Sequence, residues 1–299
     1  MQENAVVECV PNFSEGRRLE VVEAVVNSIK STAGVKVLDY SSDKDHNRSV
    51  VTFIGNPGAV KKAVLAMVEK AKELIDMEKH QGQHPRIGAV DVIPFIPLKD
   101  IGMKECVELA REAGREIAKA HDIPVYFYEE AALKPQHKNL ADIRKGNYEG
   151  LKAEISKPDR HPDSGPSKMH PTFGAVVIGA RKPLIAFNVN LATDKLEIAR
   201  AVARKLREKD GGLACVKAMG VMLKEKNLAQ VSMNLVDYEK SSIYAAYELV
   251  RIEAARYGVD IAGSELIGLT PLASVVDVAR YYLKMEKLSK DQVLEYHLI

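Results

Sequence analysis

Short β-rich runs alternate with stretches of helical period along this chain, and that alternation limits the fold more than any other feature. AVVECV (Ala5 to Val10) reads as a strand, and PNFSEG turns the chain, with Ser14 suited to cap a helix. Leu19, Val22, Val25, Val26 and Ile29 then recur at the spacing of one helix face. Val35 to Tyr40 and Ser49 to Gly55 are two further β-rich runs. Asn56-Pro57-Gly58 stops the second, and Pro57 suits the first turn of a helix expected to run to about Lys79. AVDVIPFIP is a strand whose prolines restrict where it can pair. A helix over Met103 to Ala120 and a strand over Pro124 to Tyr128 follow. The order β-α-β-β-α-β-α-β is close to a ferredoxin-like unit with additions.

Leu151 to Pro171 breaks the pattern, with Pro158, Pro162, Pro166 and Pro171 among charges and little periodicity. It is either a connector or a functional loop, because long irregular segments are uncommon in compact chains. Beyond it, TFGAVVIGA and LIAFNVNL are strands split by Arg181-Lys182-Pro183. A helix at about Asp194 to Lys209, strands VKAMGVML and AQVSMNLVDY, a helix at Ser241 to Tyr257, VDIAGSELIGL and a helix from Pro271 complete the chain. The expected fold class is α/β (α+β): two ferredoxin-like-type α/β subdomains, residues 1–180 and 181–299, with a ligand cleft between them.

At 299 residues and 46% apolar content the chain can bury a substantial core. A net charge of +2 argues against dominant nucleic-acid binding but permits a local basic groove for an acidic small molecule. Cys9, Cys106 and Cys215 lie far apart with no CxxC spacing, which fits a reducing, cytoplasmic setting. No signal peptide is expected, and no window approaches the ~18 apolar residues of a membrane span.

The stretch GQHPRIGAVDVIPFIPL (Gly82 to Leu98) places a His-Pro-Arg bend directly before an apolar strand. His80 and His84 have the HxxxH spacing of a zinc helix, but Gly82 and Pro85 break the helix and no Glu follows the first His, so no metal is expected. His84 on a bend can turn its ring into a cavity, where an imidazole both takes and gives a proton near neutrality. Asp39 closes an apolar strand and faces the sheet's end, whereas the charges around Asp43 suit a solvated turn. Arg48, opening the next strand, can bind a carboxylate through two hydrogen bonds.

SGPSKMHPTFGA (Ser164 to Ala175) lacks P-loop spacing, and the chain has no GxGxxG. This segment is either a linker or a loop whose backbone donors grip a flat heterocycle or its carboxylates. Asn188, Asn190, Gln230, Ser232 and Asn234 alternate along apolar strands and so share sheet faces, as edge decoration or as the lining of a cleft. No nucleophile elbow or recognisable cysteine nucleophile occurs.

VECVPNFSEGR (Val7 to Arg17), LIDM followed by a His and by HPRIGAVDVIPFIPL (Leu74 to Leu98), PDSGPS with FGA (Pro162 to Ala175), AFNVNL (Ala186 to Leu191), KNLAQVSMNLVDYE (Lys226 to Glu239) and GSELIGLTPL (Gly263 to Leu272) together resemble the formiminotransferase domain family. The resemblance covers nearly the whole chain in the family's order. It implies a dimer of two-subdomain chains with tetrahydrofolate as co-substrate in the cleft and no metal. The implied reaction moves the formimino group of N-formimino-L-glutamate to N5 of tetrahydrofolate, in histidine degradation and one-carbon metabolism. It makes His84, in the family's H-P-R motif, the catalytic histidine. Asp39 then orients His84 or bonds the pterin. The Pro162 to Ala175 stretch corresponds to the folate-binding loop, bringing in Asp163, Gly165, Pro166, Ser167, Thr172 and Gly174, with Arg48 and the five C-terminal polar side chains as further contacts. Fused members carry a cyclodeaminase half as well; none is expected here, and the resemblance implies a separate cyclodeaminase chain as a partner. Two alternatives share these residues: a folate enzyme acting on a formyl group (formylglutamate or 5-formyltetrahydrofolate), and a folate-binding partner of a cyclodeaminase without turnover of its own.

Overall fold

A computed structural model describes residues 4–297. The chain divides into two compact units, Met1–Arg181 and Lys182–Ile299.

The first unit contains β1 (Val6–Cys9), β2 (Asn12–Phe13), α1 (Leu19–Lys30), β3 (Val35–Asp43), β4 (Arg48–Gly55), α2 (Pro57–Leu74), β5 (Val90–Lys99), α3 (Met103–His121) and β6 (Val125–Glu129). It continues through α4 (Leu140–Ile143) and α5 (Asn147–Glu154) to β7 (Val176–Ala180). Strands β3, β4, β1 and β5 pair antiparallel in that order, and α1 and α2 make the crossovers, which is the βαββαβ topology. β7 then adds parallel to β5, and β6 parallel to β7. The apolar stripe of α1 (Val21, Val22, Val25, Val26, Ile29) is buried, as helical spacing demands.

Local chemistry corrects two expectations. Ser14 does not cap α1; its hydroxyl donates to Gly88 O at 2.8 Å. The Glu15 carboxylate instead accepts the N–H groups of Gly16, Arg17 and Arg18 at 3.1, 2.9 and 3.0 Å, ordering the turn into the helix. α2 begins as expected, with the Asn56 side chain accepting Ala59 N–H at 2.9 Å. It stops at Leu74, short of Lys79, because Ile75 is extended and Met77 N–H donates to Thr172 O at 2.7 Å.

The proline-bearing strand β5 is central, flanked by β1 and β2 on one side and β7 on the other. Pro97 sits opposite Val7, where the β1 register shifts, so the missing N–H falls at an irregularity. The segment from Leu151 to Pro171 is not a free connector. It starts inside α5, and it is fastened to β6 by Tyr126 Oη donating to Arg160 O (2.6 Å) and Val125 N–H donating to Ser164 O (2.9 Å).

The second unit holds β8 (Ile185–Leu191), α6 (Leu196–Leu206), β9 (Val216–Leu223), β10 (Leu228–Leu235), α7 (Ile243–Ala255), β11 (Ile261–Ile267) and α8 (Leu272–Tyr282). Its sheet runs β11-β8-β10-β9, antiparallel throughout, again the ferredoxin-like order, with α8 appended. Phe187, Val189, Leu191, Val231 and Met233 face the helices and form its core with Ile198, Val202, Ala246 and Val250. The two strands on either side of Arg181-Lys182-Pro183 therefore lie in different units.

Candidate active site

Three segments of the first unit meet around His84: the β3–β4 turn, the loop of residues 76–89, and the turn of residues 170–175. Asn47 knots the first two. It takes a left-handed conformation (φ 47°), which Asn tolerates well. Its side chain accepts Gly16 N–H at 3.0 Å and donates to Gln81 O at 3.1 Å. Its own carbonyl accepts Nε2–H of His80 at 2.8 Å. Gly82 passes so close to the turn that a Cβ there would strike His46 O. The third segment is laced on by Ala89 N–H to Phe173 O (2.7 Å) and Ala175 N–H to Ile87 O (3.0 Å). A Cβ at Gly88 would collide with Ala175 O, and Gly174 has φ 83°, so both glycines are required by this seam.

The two histidines of the HxxxH spacing have different roles. His80 is spent on structure: Nε2–H donates to Asn47 O, and Nδ1 accepts Nε–H of Arg86 at 3.2 Å. Burial holds its pKa below the usual value. Arg86, itself buried, also grips the Glu149 carboxylate through both terminal nitrogens, at 3.1 and 2.8 Å. His84 is half-buried, and its Nδ1 lies 2.7 Å from Pro85 O. A carbonyl can only accept, so Nδ1 carries the proton and the Nε2 lone pair of the neutral ring is free. Burial first, then the charges of Arg48 and Arg144, push the His84 pKa down to about 4. At neutral pH this ring is an unprotonated base. The His46 ring meets it edge-on with centroids 5.7 Å apart.

Asp91, at the start of β5, is almost wholly buried; it accepts Ile87 N–H at 2.9 Å and is ion-paired with Arg144. The side chain of Arg48, opposite Asp43 in the β3–β4 pairing, has no hydrogen-bond or ion-pair partner among the described residues, and its Nε is fully buried. Burial lowers its pKa to about 10, Asp91 opposing and Arg144 adding to the effect, so it stays cationic at neutral pH.

The structure thus sets Arg48 and the turn carrying Gly174 against the segment of His84, while Thr172 O is bonded to Met77 N–H at the segment's start. It does not bring Asp39 into the bonding of His84: Asp39 is exposed on β3 opposite Thr52, and Pro85 O orients the ring. The Asp163 side chain is also away from the surface. It is fully buried, and Oδ2 accepts His137 Nδ1–H at 2.7 Å and Phe127 N–H at 2.8 Å. Burial raises its pKa, but His137 and the Phe127 N–H outweigh that and hold it below the usual carboxylate range. Gly165 (φ 85°) packs so that a Cβ would meet Ile123 O, while Ser167 is exposed and Pro166 half-exposed.

Arg144 escaped sequence reasoning, because nothing in DIRKG marks it off from a solvated charge run. Among the described residues no His, Cys, Asp and Glu side chains cluster as three or more potential metal ligands, and no helix is long and apolar enough to cross a membrane.

In the second unit, Asn188, Asn190, Gln230, Ser232 and Asn234 lie on β8 and β10, the two central strands, so they are not edge decoration. Asn190 and Gln230 face each other across the pair, as do Asn188 and Ser232. Gln230 Nε2 donates to Asn190 Oδ1 and to Glu265 Oε1, both at 2.8 Å. Glu265 on β11 is a member that sequence reasoning missed; its signal was its place in the alternation of VDIAGSELIGL, opposite Asn188.

Residues 6–181 match the family model described as "Formiminotransferase domain, N-terminal subdomain", and residues 186–299 match "Formiminotransferase domain". The chain belongs to the formiminotransferase domain family. It is 48% identical to the glutamate formimidoyltransferase of Streptococcus pyogenes serotype M1, over 98% of this chain and 99% of that one. It is 49% identical to that of Thermoplasma acidophilum, over 97% and 96%. Rat formimidoyltransferase-cyclodeaminase is 45% identical over 95% of this chain but only 53% of the rat protein. The formiminotransferase seams therefore coincide with the structural ones: the first match ends at Arg181, the last residue of the first unit.

Proposed function

We propose that this protein is a glutamate formimidoyltransferase that moves the formimino group of N-formimino-L-glutamate to N5 of tetrahydrofolate and releases L-glutamate. The single observation carrying this is identity of 48–49% along essentially the full length of two relatives bearing that name. The chemistry of His84 supports it. N5 attacks the amidine carbon, forming an N–C bond, and the bond from that carbon to the glutamate nitrogen breaks. N5 of the adduct sheds a proton and the departing amine gains one. The free Nε2 of a neutral His84 takes the first and delivers it to the second. The ammonium of the adduct is acidic, so a weakly basic ring suffices to deprotonate it. The same low basicity makes the resulting imidazolium a strong donor to the amine. Holding both substrates together supplies much of the remaining acceleration.

Thr172, bonded to Met77 before the bend, and Gly174, packed against Ile87 and Gly88 after it, favour a loop that shapes the folate site, and Arg48 suits a substrate carboxylate. We keep Gly165, Pro166 and Ser167 as folate contacts through their exposed backbone, and Asp39 as a contact to the pterin. Asp163 we assign to holding this loop rather than to the ligand. The amide face of Asn188, Asn190, Gln230, Ser232 and Asn234 suits the polar edges of folate. Fused relatives favour a separate cyclodeaminase chain as partner in histidine degradation, and exposed Val275, Tyr281, Tyr282, Leu283 and Met285 favour a homodimer. The reading places the protein in the cytoplasm with one-carbon metabolism.

Incubation with tetrahydrofolate and N-formimino-L-glutamate tests the proposal, with N-formyl-L-glutamate alongside. Stoichiometric glutamate release from the formimino donor is the expected result. Release only from the formyl donor, or folate binding without release from either, overturns it.

A further inference from the structure

The site around His84 carries more positive charge than its own carboxylates neutralise. Arg48 and Arg144 contribute two guanidinium groups, against the single buried carboxylate of Asp91, and His84 is neutral. Arg144 spends one terminal nitrogen on Asp91, yet its Nε is buried without a partner, as is Nε of Arg48. The other acid near Arg48, Asp43, is committed to His46, accepting its Nδ1–H at 3.0 Å and its backbone N–H at 2.8 Å. A desolvated guanidinium without an anion is costly, and arranging two side by side costs more. Pre-placed, unpaired donors of this kind are what a planar carboxylate needs for binding through two oxygens.

The backbone connects these groups to the reacting centre. The turn that carries Arg48 also carries His46, whose ring abuts His84, and Asp91, which holds Arg144, also fastens Ile87 just beyond the His-Pro-Arg bend. If His84 protonates the departing nitrogen, the anion closest to hand is the carboxylate on the carbon bearing that nitrogen. The side-chain carboxylate of glutamate lies farther along a flexible chain. Resting on the formimino-transfer reading above, we propose that Arg48 and Arg144 form the receptor for the α-carboxylate of the donor, and so restrict the enzyme to N-formimino α-amino acids. Arg48 makes the direct contact through its terminal nitrogens, and Arg144, steadied by Asp91, adds its charge.

The test compares N-formimino-L-glutamate with 4-(formiminoamino)butyrate, which lacks only the α-carboxylate. Wild-type kcat/KM is expected to favour the glutamate donor by about 100-fold, the scale set by a desolvated charge pair. Arg48→Met should lose about 100-fold on the glutamate donor and little on the butyrate donor, with KM for tetrahydrofolate unchanged. Arg48→Lys should recover part of the loss. Equal wild-type turnover of both donors overturns the proposal without involving any variant that must fold. So does an Arg48→Met loss that is equal for both donors. A rise in tetrahydrofolate KM that disappears with tetrahydropteroate, which lacks glutamyl carboxylates, would assign the arginines to the folate tail instead and equally overturns it. No turnover of either donor by the wild type removes the underlying reading, whereas undiminished transfer without discrimination removes only this inference.

Discussion

The two units share one topology and use it differently. Each is a βαββαβ sheet with two crossover helices. In the second, the polar face holds amides and one carboxylate in a hydrogen-bond set centred on Gln230. The first adds α3, β6, β7 and two long segments, and these bring in His84 and Arg144 beside Arg48 and Asp91 of the shared framework. Reactive chemistry therefore comes with the additions, held by ion pairs and tight backbone seams, while the common framework supplies the rigid sheet. A fold of this kind does not dictate function; the groups attached to it do.

The comparison breaks first if the added segments do not depend on their buried charges. Asp163→Ala removes the partner of His137 and of Phe127 N–H, and an uncompensated buried group of this kind costs about 3–5 kcal/mol. Denaturant unfolding should show that loss; a change near zero would mean that the 162–175 loop is held by something else. Gly88→Ala drives a Cβ into Ala175 O, and overpacking of this sort costs about 1–3 kcal/mol. Because it parts the seam behind His84, turnover should fall more steeply than the melting temperature, and the reverse ranking would contradict the seam's positioning role. In the second unit Glu265→Gln weakens the hydrogen bond from Gln230 and the longer one from Asn188, a loss of about 0.5–1.5 kcal/mol. A loss as large as that of Asp163→Ala would erase the contrast between the units.

The subtlest effect is on pH dependence. The free enzyme's His84 keeps its base form down to about pH 4, because burial and then Arg48 and Arg144 disfavour the imidazolium. The acid limb of kcat/KM, which reports the free enzyme, should lie well below the usual histidine range. Deleting a cation makes protonation easier, so Arg48→Met should move that limb to higher pH. A shift to lower pH, or none, would separate Arg48 electrostatically from His84.

Element order and fold class were legible because apolar period and strand runs report burial, and both units bury their sheets conventionally. His84 was legible because a His-Pro-Arg bend before an apolar strand is hard to explain by turn chemistry alone. Arg144 was not, since a cation in a polar segment looks the same in sequence whether it pairs with a buried Asp91 or with water. The burial of Asp163 was not legible for the related reason that a Pro/Gly-rich context signals a loop, and says nothing of a carboxylate turned inward to His137. Ser14 met the pattern of a helix cap, but Gly88 O, brought close only by tertiary structure, claimed its hydroxyl. Asp39 does not close its strand, because pairing with β4 carries β3 on to Asp43, and the carbonyl of Pro85, the residue after His84, satisfies Nδ1 of His84.

The central claim is that the free Nε2 of a neutral His84 relays the proton between N5 and the departing glutamate. Single-turnover transfer by His84→Asn, measured beside tetrahydrofolate affinity by calorimetry, tests it most directly, since the asparagine amide can still donate to Pro85 O. The expected result is a transfer rate lowered by about 10²–10⁴-fold with folate affinity essentially unchanged. A variant that transfers the formimino group at near the wild-type rate would contradict it.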